Sequence, residues 1–398
     1  MLKTFKVNIA ALALGLLTTL PAWSADEIVI GASLPMSGPL SGFGFYTKWG
    51  YEAAVADLNK AGGLEIDGRK LPVRLIVRDD KTDPNVTASN TETLIARDGA
   101  VAMLGSCTPP LSNAGALVAE RRKVPLVTAC NPLMSFKAVR KWRYAWDIFF
   151  HEEDLAAASF HMMADYKLAT NKKIAILAEN APDGQMIGGT VWPAMAKADG
   201  YEVVMNDSFP IDAQQFGTMI NRAKLGGADL VLVMAIPPQA IAIRKQMASA
   251  GYTPKLLVME KGAEPEMFQR ALDKLAEGVL VGGYWDPSLP YPGASELAKR
   301  FEADTKQTQS QHIADSYTAA HVLLDAIAAA NSTDREKINA AIAKTDKTYV
   351  IGPVKFDADH TSRIPMMVMQ WQKGKAVVVW PKDRATGQLQ FPLPQQAD

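Results

Sequence analysis

Short apolar runs rich in β-branched residues alternate along the chain with longer segments whose apolar residues recur at helical spacing. In the first half, strand patterns at 28–32, 71–77, 101–104 and 124–128 are separated by helical patterns at 48–61, 85–97 and 111–122. Strands that alternate with helices in this way indicate a parallel sheet with right-handed crossovers. The first half therefore predicts one α/β unit.

The same alternation starts again after about residue 150. Strand patterns at 173–178, 202–206, 229–234, 255–259 and 279–282 are separated by helical patterns at 155–166, 186–198, 215–224 and 239–250. Residues 295–343 are almost wholly helical, and 350–380 return to strands that include a hairpin around Gly374. A chain of 398 residues is long enough for two domains. We therefore expect two similar α/β units with no low-complexity linker between them.

The first 24 residues have the pattern of a secretory leader. Lys3 and Lys6 precede a mostly apolar run at 7–20, and Ala22 and Ser24 supply small residues before a cleavage site. The run is too short for a comfortable membrane span, which favours a removed signal peptide over an anchor. We expect cleavage between Ser24 and Ala25 and a soluble mature protein in the periplasm.

Composition narrows the class of function. The chain is 48% hydrophobic and 21% charged, as in globular proteins, and 42 basic residues balance 42 acidic ones. We see no basic stripe, and therefore expect no nucleic-acid partner. No two of the five histidines have the spacing of a metal-binding pair. We predict no metal and no cofactor.

Motifs of catalysis are also missing. The sequence has neither a Gly-x-Ser-x-Gly elbow nor a phosphate loop of the Gly-x4-Gly-Lys type. We therefore predict a protein that is not an enzyme. Because a Ser/His/Asp triad assembles in space and not in sequence, a secreted α/β hydrolase stays open as an alternative.

Candidate ligand contacts come from the loops that follow predicted strands, because open α/β sheets bind ligands beyond the carboxyl ends of their strands. Phe43 lies among glycines and a proline in the loop 36–44, where it either presents its ring to a ligand or plugs the loop. Ser106 and Thr108 lie in the next such loop. Thr108 followed by Pro109 predicts a helix start, which favours a carboxylate or is an ordinary capping motif.

Three further strand-end loops contribute polar side chains. Asn131 precedes a proline, which favours a turn, and its amide either caps the backbone or binds a ligand. Asp183 and Glu260 follow strands of the second unit and are candidate partners for an ammonium group. Each of them alone is more often a solvated loop residue. The argument rests on all these loops lying at strand ends.

The two cysteines, Cys107 and Cys130, both follow strands that would be neighbours in a parallel sheet. A disulfide is therefore possible, but it needs Cα atoms roughly 4.4–6.8 Å apart. The sequence leaves two interpretations open, a bridge or a pair of partly buried thiols.

The order of these segments resembles a family, the periplasmic solute-binding proteins of ABC importers for branched-chain amino acids and amides. The resemblance covers nearly the whole mature chain. It is carried by the segments 28–31, 36–39, 50–54, 59–64, 79–84, 124–127, 277–279, 317–320, 352–357 and 370–375.

The resemblance implies a type I fold, with two doubly wound parallel-sheet lobes joined by a three-segment hinge. By similarity, residues 25–147 and 286–351 would form the first lobe and residues 148–285 and 352–380 the second. Residues 381–398 would be a C-terminal tail.

The resemblance also implies roles for site residues. Ser106, Cys107 and Thr108, together with the stretch Ala129, Cys130 and Asn131, match the loops that grip the ligand's carboxylate and amine. Phe43 matches an aromatic contact, and Glu260 matches an acid that meets the amine.

The chain also departs from the family pattern. Cys130 stands where a threonine is frequent. Asp183 stands where an aromatic residue is usual, and a second aromatic position corresponds to Ile236 or Pro237. Pro109 and Pro110 replace serines. These departures argue against a leucine-type ligand and leave another amino acid, an amide or an organic acid.

The function implied is that of a monomeric, extracytoplasmic solute-binding component of an ABC importer. It would bind an amino acid or a related small carboxylate or amide between its lobes and deliver it to a membrane permease. A ligand-sensing module of the same fold, reporting to a partner protein, stays open as an alternative.

Overall fold

The computed structural model describes residues 27–395, and the predicted leader at 1–24 lies outside them. Within that range the chain forms two large sheets, each flanked by helices, and two small hairpins. The predicted α/β class, with two doubly wound lobes, is confirmed.

Strands occur throughout both halves of the described chain. In chain order they are β1 (Ile28–Leu34), β2 (Leu64–Ile66), β3 (Arg69–Leu71), β4 (Val73–Asp79), β5 (Ala102–Leu104), β6 (Leu126–Thr128), β7 (Ala145–Phe149), β8 (Lys173–Glu179), β9 (Glu202–Phe209), β10 (Leu230–Ala235), β11 (Leu256–Lys261), β12 (Leu280–Gly283), β13 (Asp346–Tyr349), β14 (Gly352–Lys355), β15 (Thr361–Arg363), β16 (Met367–Gln372) and β17 (Lys375–Trp380).

Helices connect most of the strands. In chain order they are α1 (Ser41–Lys60), α2 (Pro84–Ala96), α3 (Pro109–Arg122), α4 (Leu133–Lys137), α5 (Glu152–Asp165), α6 (Pro182–Gly184), α7 (Trp192–Ala198), α8 (Gly217–Leu225), α9 (Pro237–Ser249), α10 (Glu266–Leu272), α11 (Ala294–Thr305), α12 (Gln311–Ala330) and α13 (Arg335–Ile342). A π-helical segment, Gln185–Val191, leads into α7, and short 3₁₀ turns cover Asp273–Ala276 and Lys382–Arg384.

The first sheet has the order β15-β7-β6-β5-β1-β4 and is parallel throughout. Every residue of β1 is buried, because helices cover both faces of the sheet, and this explains the unbroken apolar run that predicts the strand. The predicted strand at 71–77 is in fact split between β3 and β4. Pro72, which has no N–H to donate, separates the two.

The second sheet has the order β17-β16-β12-β11-β10-β8-β9. Its central strands are parallel, and β16 and β17 add an antiparallel hairpin at one edge. The predicted turn at Gly374 is confirmed, with Lys373 and Gly374 both at positive φ. All six residues of β10 are buried, as expected of a central strand.

The chain passes between the two sheets three times. These crossings lie between β7 and α5, between β12 and α11, and between β15 and β16. One boundary differs from the expected division into lobes: β15 pairs in parallel with β7, so Thr361–Arg363 belongs to the first sheet and not to the second lobe. The small hairpin of β13 and β14 forms a separate two-stranded sheet that precedes β15 in the chain. The remaining lobe boundaries stay a prediction.

Helix α1 begins at Ser41, seven residues before the predicted start, so the glycine-rich stretch 41–44 is helical and not a loop. The glycines are needed there for close packing. A Cβ on Gly44 would lie 2.1 Å from the carbonyl oxygen of Pro35, and one on Gly50 would lie 2.1 Å from Ser316 Oγ on α12. Glycine thus lets α1 lie against both the β1 loop and α12.

The described part of the C-terminal tail runs along the second lobe. Leu393 is buried in the core of that lobe, and its N–H donates to the carbonyl oxygen of Lys255 at 2.7 Å. No helix between residues 27 and 395 combines the length and apolar character that crossing a membrane requires.

Candidate ligand-binding site

A cavity of about 50 Å³ lies between the two lobes, where loops from both sheets meet the start of α12. It is large enough for more than one water-sized group. Apolar and charged side chains both line it: Phe43, Thr108, Pro109, Cys130, Pro132, Phe149, Phe150, Leu155, Asp183, Met234, Glu260, Lys261, Glu264, Gly282, Tyr284, Gln311, His312 and Met366.

Five of the ten residues proposed from sequence line this cavity. They are Phe43, Thr108 and Cys130 from the first lobe, and Asp183 and Glu260 from the second. The structure therefore brings the strand-end loops of both lobes together. Their role as ligand contacts stays a prediction.

Ser106 and Asn131 do not line the cavity but hold the loops behind it. Ser106 Oγ donates to Asp80 Oδ2 at 2.9 Å, and burial raises the pKa of that buried carboxyl to about 6. Asn131 Nδ2 donates to Asn113 Oδ1 at 2.8 Å. Both side chains thus position the two loops relative to their neighbours.

Cys107 and Ala129 are also buried behind the cavity. Cys107 Sγ lies 3.1 Å from Thr47 Oγ1, and Ala129 packs in the core of the first lobe. Cys107 and Cys130 are both buried free thiols, so the second of the two interpretations of the cysteines describes this structure.

Ile236, the last of the ten, packs across the cleft. It belongs to the second lobe but joins a buried apolar cluster that otherwise comes from the first lobe. Its partners there are Leu40, Phe43, Cys107, Leu111 and Cys130. The two lobes are therefore in contact, and the structure is a closed one.

Thr108 adopts an unusual backbone conformation at the start of α3. Its φ is +67° and its ψ is +150°, a region that only glycine occupies readily. Its N–H donates to the carbonyl oxygen of Cys130 at 2.9 Å, which ties the two predicted ligand loops together. The predicted N-cap position is confirmed, although the Thr108 side chain makes no capping hydrogen bond.

The second lobe contributes a buried cation that sequence reasoning did not select. Lys261 Nζ donates to Asp183 Oδ2 at 2.9 Å and forms an ion pair with Glu179. Burial would lower the pKa of Lys261, but the adjacent carboxylates outweigh it and raise that pKa above its ordinary value. Lys261 is therefore a cation that is already neutralised by the protein.

Glu260 is fully buried and only half satisfied. Its Oε2 accepts the N–H of Gly282 at 2.7 Å, whereas Oε1 has no hydrogen-bond partner among residues 27–395. Burial raises the pKa of Glu260 to about 8, so it is mostly protonated at neutral pH. Asp183 Oδ1 is likewise buried without a partner. A ligand with N–H donors would satisfy these buried oxygens and would lower the pKa of Glu260, because such donors favour the ionised carboxylate.

A histidine from the first lobe completes the cavity. His312 Nδ1 lies 2.9 Å from Asp315 Oδ2 and 3.0 Å from the hydroxyl of Tyr284. Its Nε2 lies 3.6 Å from Glu264 Oε2 across the cleft, and its ring meets Phe43 edge-on at 5.0 Å.

Electrostatics favour the charged form of this histidine. Burial would lower the pKa of His312, but the neighbouring Cys130, Glu264 and Asp315 raise it well above the ordinary value of 6.5. Sequence reasoning missed His312 because it follows the helix-capping residue Ser310 and not a strand. That helix-start signal was the one available clue.

The pair of Cys130 and His312 does not form a nucleophile and base. Cys130 Sγ lies 3.8 Å from Nδ1, the same ring nitrogen that contacts Asp315. A catalytic triad needs the nucleophile and the carboxylate on opposite ring nitrogens. Burial also raises the pKa of Cys130 well above its ordinary value, which disfavours the thiolate.

Within residues 27–395, no three His, Cys, Asp or Glu side chains are grouped in a way that could hold a metal ion.

Comparison with known proteins assigns the family. Residues 27–376 match the family model described as periplasmic binding protein. The Leu/Ile/Val-binding protein homolog 7 of Brucella suis is 24% identical over an alignment of 404 positions. The alignment covers 97% of this chain and 99% of that protein.

Solved structures support the same assignment at the level of fold. A leucine-binding protein from Thermotoga maritima superposes with a TM-score of 0.79 at 21% identity, over 89% of this chain and 99% of that one. A Rhodopseudomonas palustris solute-binding protein in complex with benzoate gives a TM-score of 0.76 at 19% identity, over 94% and 98% of the two chains. The chain belongs to the periplasmic binding protein family.

Proposed function

We propose that this protein is the extracytoplasmic solute-binding component of an ABC importer. It binds an amino acid or a related small carboxylate or amide between its lobes and delivers the solute to a membrane permease. The observation that carries the proposal is the cavity between the lobes, where Asp183 and Glu260 each have one buried carboxyl oxygen without a hydrogen-bond partner among residues 27–395.

Closure would follow a hinge mechanism. The solute binds to one lobe, and the other lobe rotates over it about the three crossing segments. Only contacts that exist in the closed form favour closure. The apolar cluster around Ile236 and the approach of Glu264 to His312 are two such contacts within the protein.

The same geometry argues for binding without chemical turnover. Cys130 and His312 lack the arrangement of a nucleophile and its base, so a hydrolase is disfavoured. A monomer in the periplasm, exported by the leader at 1–24, is part of the proposal.

The experiment that tests the function is identification of the bound solute. The protein is purified from its periplasmic form, unfolded gently, and the released small molecules are analysed by mass spectrometry. Isothermal titration calorimetry with the refolded, ligand-free protein then measures the affinity. Recovery of the solute unchanged after prolonged incubation is expected, whereas conversion into a product would contradict a binding protein.

A further inference from the structure

The cavity wall carries more carboxyl groups than cations. Asp183, Glu260 and Glu264 line it, and the two cationic side chains that line it are Lys261 and His312. Counting the groups on the wall alone, the charge is zero when Glu260 is protonated and −1 when it is ionised. The wall therefore has no surplus of positive charge for an anionic solute.

The two cations are also neutralised from behind the wall. Lys261 forms an ion pair with Glu179, whose side chain is fully buried. His312 Nδ1 lies 2.9 Å from Asp315, which is buried as well. With these two carboxyl groups included, five acids face two cations, so the surroundings of the cavity carry a surplus of negative charge.

Three of the acids on the wall have a buried carboxyl oxygen without a hydrogen bond. Among residues 27–395, Asp183 Oδ1 and Glu260 Oε1 have no hydrogen-bond partner, and Glu264 Oε2 makes no hydrogen bond although it lies 3.6 Å from His312 Nε2. A buried carboxylate oxygen without a donor is costly, and a charge-assisted N–H donor is the strongest partner for it. These oxygens lie on one side of the cleft, because all three residues belong to the second lobe.

The opposite side has a weak site for an anion. The start of α3 is the natural place for a carboxylate, but Pro109 and Pro110 have no N–H to donate. The N–H of Thr108 already donates to Cys130. The first N–H groups of a helix have no acceptor within the helix. In α3 the N–H of Leu111 is the one that remains available to an anion.

We propose that the solute is a small organic cation with a net positive charge: an amine, a guanidine or an amino acid with a basic side chain. This inference rests on the proposed function of solute binding between the lobes, and it departs from the solute class proposed there where the cation carries neither a carboxylate nor an amide. The cationic nitrogen binds Asp183 and Glu260 in the second lobe. Its carbon chain lies along the apolar wall of Phe149, Phe150 and Leu155.

Calorimetry on ligand-free protein at pH 7.5 tests the charge directly. The panel has two cations without a carboxylate, agmatine and putrescine, and two basic amino acids, arginine and lysine. Leucine and benzoate serve as a zwitterionic and an anionic comparison. At least one cation is expected to bind a hundredfold more tightly than leucine, with no heat from benzoate. Tighter binding of arginine or lysine indicates a solute with a carboxylate. Tighter binding of agmatine or putrescine indicates a solute without one.

The outcomes separate the two proposals. Binding of leucine or benzoate as tightly as any cation overturns the cationic solute and leaves solute binding intact. Heat from none of the four cations overturns the cationic solute, whereas the function of solute binding is decided separately by the mass spectrum of what the purified protein releases.

Isosteric variants locate the site. Asp183→Asn and Glu260→Gln are each expected to weaken cation binding at least tenfold, whereas Glu202→Gln, at an exposed position of β9, keeps wild-type affinity. Wild-type affinity in both cavity variants would overturn the proposal. If Asp183→Asn does not fold, Glu260→Gln decides, because the amide cannot ionise when a cation binds beside it.

Discussion

Glu260→Gln is expected to stabilise the ligand-free protein while it weakens binding. Glu260 is fully buried, and burial raises its pKa from 4.5 to about 8. At pH 7 the folded protein therefore holds a proton on this carboxyl group that the unfolded chain has released. Folding must take up that proton, which lowers the free energy of unfolding.

The magnitude follows from the two pKa values. Each pH unit between 4.5 and 8 lowers the free energy of unfolding by about 1.4 kcal/mol through this group. At pH 7 Glu260 therefore lowers the free energy of unfolding of the wild-type protein by about 3 kcal/mol relative to pH 4.5. The sign is that of an acid with a raised folded-state pKa: its contribution is fully present below pH 4.5 and is lost as the pH rises through 8. Glutamine has no such proton and avoids the loss, although its amide leaves a donor facing the cavity at a cost of about 1 kcal/mol.

Urea unfolding monitored by tryptophan fluorescence at pH 5, 6, 7 and 8 measures the difference. The variant is expected to be more stable by about 2 kcal/mol at pH 7, with a gap that widens as the pH rises. Glu202→Gln, on the exposed face of β9, is the control for removing a charge and should follow the wild-type curve. A gap that does not change with pH, or a less stable variant at pH 8, would falsify the account of Glu260 as a buried, protonated acid.

Three further predictions concern closure, strain and the thiols. Ile236→Ala removes the second lobe's contribution to the apolar cluster and should weaken binding by about 2 kcal/mol while increasing the radius of gyration in solution scattering; an unchanged radius would contradict it. Thr108→Gly relieves a backbone conformation that only glycine adopts readily, so urea unfolding should show a gain of about 1 kcal/mol, and a loss of stability would count against strain there. Cys107 and Cys130 are buried thiols, so a thiol reagent should titrate none in the folded protein and two in urea, whereas none in urea would indicate a disulfide.

The fold was accessible from the sequence because its main signal is long-range and redundant. Apolar runs such as β1 and β10 are unbroken, since helices bury both faces of each sheet, and many such runs alternate with helices. Errors occurred where one residue overrides the pattern. Pro72 splits a predicted strand, and the glycines of α1 indicate a loop although they serve close packing with Pro35 and α12.

The candidate site was predicted less completely, for a physical reason. The rule that ligands bind beyond strand ends found Asp183 and Glu260, which do lie at the cavity. The rule could not find His312, because this residue reaches the cavity from a helix start roughly 50 residues along the chain from Glu260. The rule also could not distinguish Lys261 from an ordinary loop lysine. Burial and ion pairing, which are three-dimensional properties, distinguish these two residues.

The closed form contains favourable contacts between the lobes and unfavourable buried oxygens without partners. A bound solute changes the balance between these two contributions. Closure brings Ile236 against Phe43 and Glu264 within 3.6 Å of His312, and both contacts favour the closed form without any solute. In this closed form Asp183 and Glu260 each keep a buried oxygen that has no hydrogen-bond partner among residues 27–395, which is an unfavourable contribution. A bound solute that supplies N–H donors removes only the second, unfavourable contribution. Because residues of both lobes line the cavity, a solute that contacts both lobes has its full set of contacts only in the closed form, which is the differential interaction that a hinge mechanism requires.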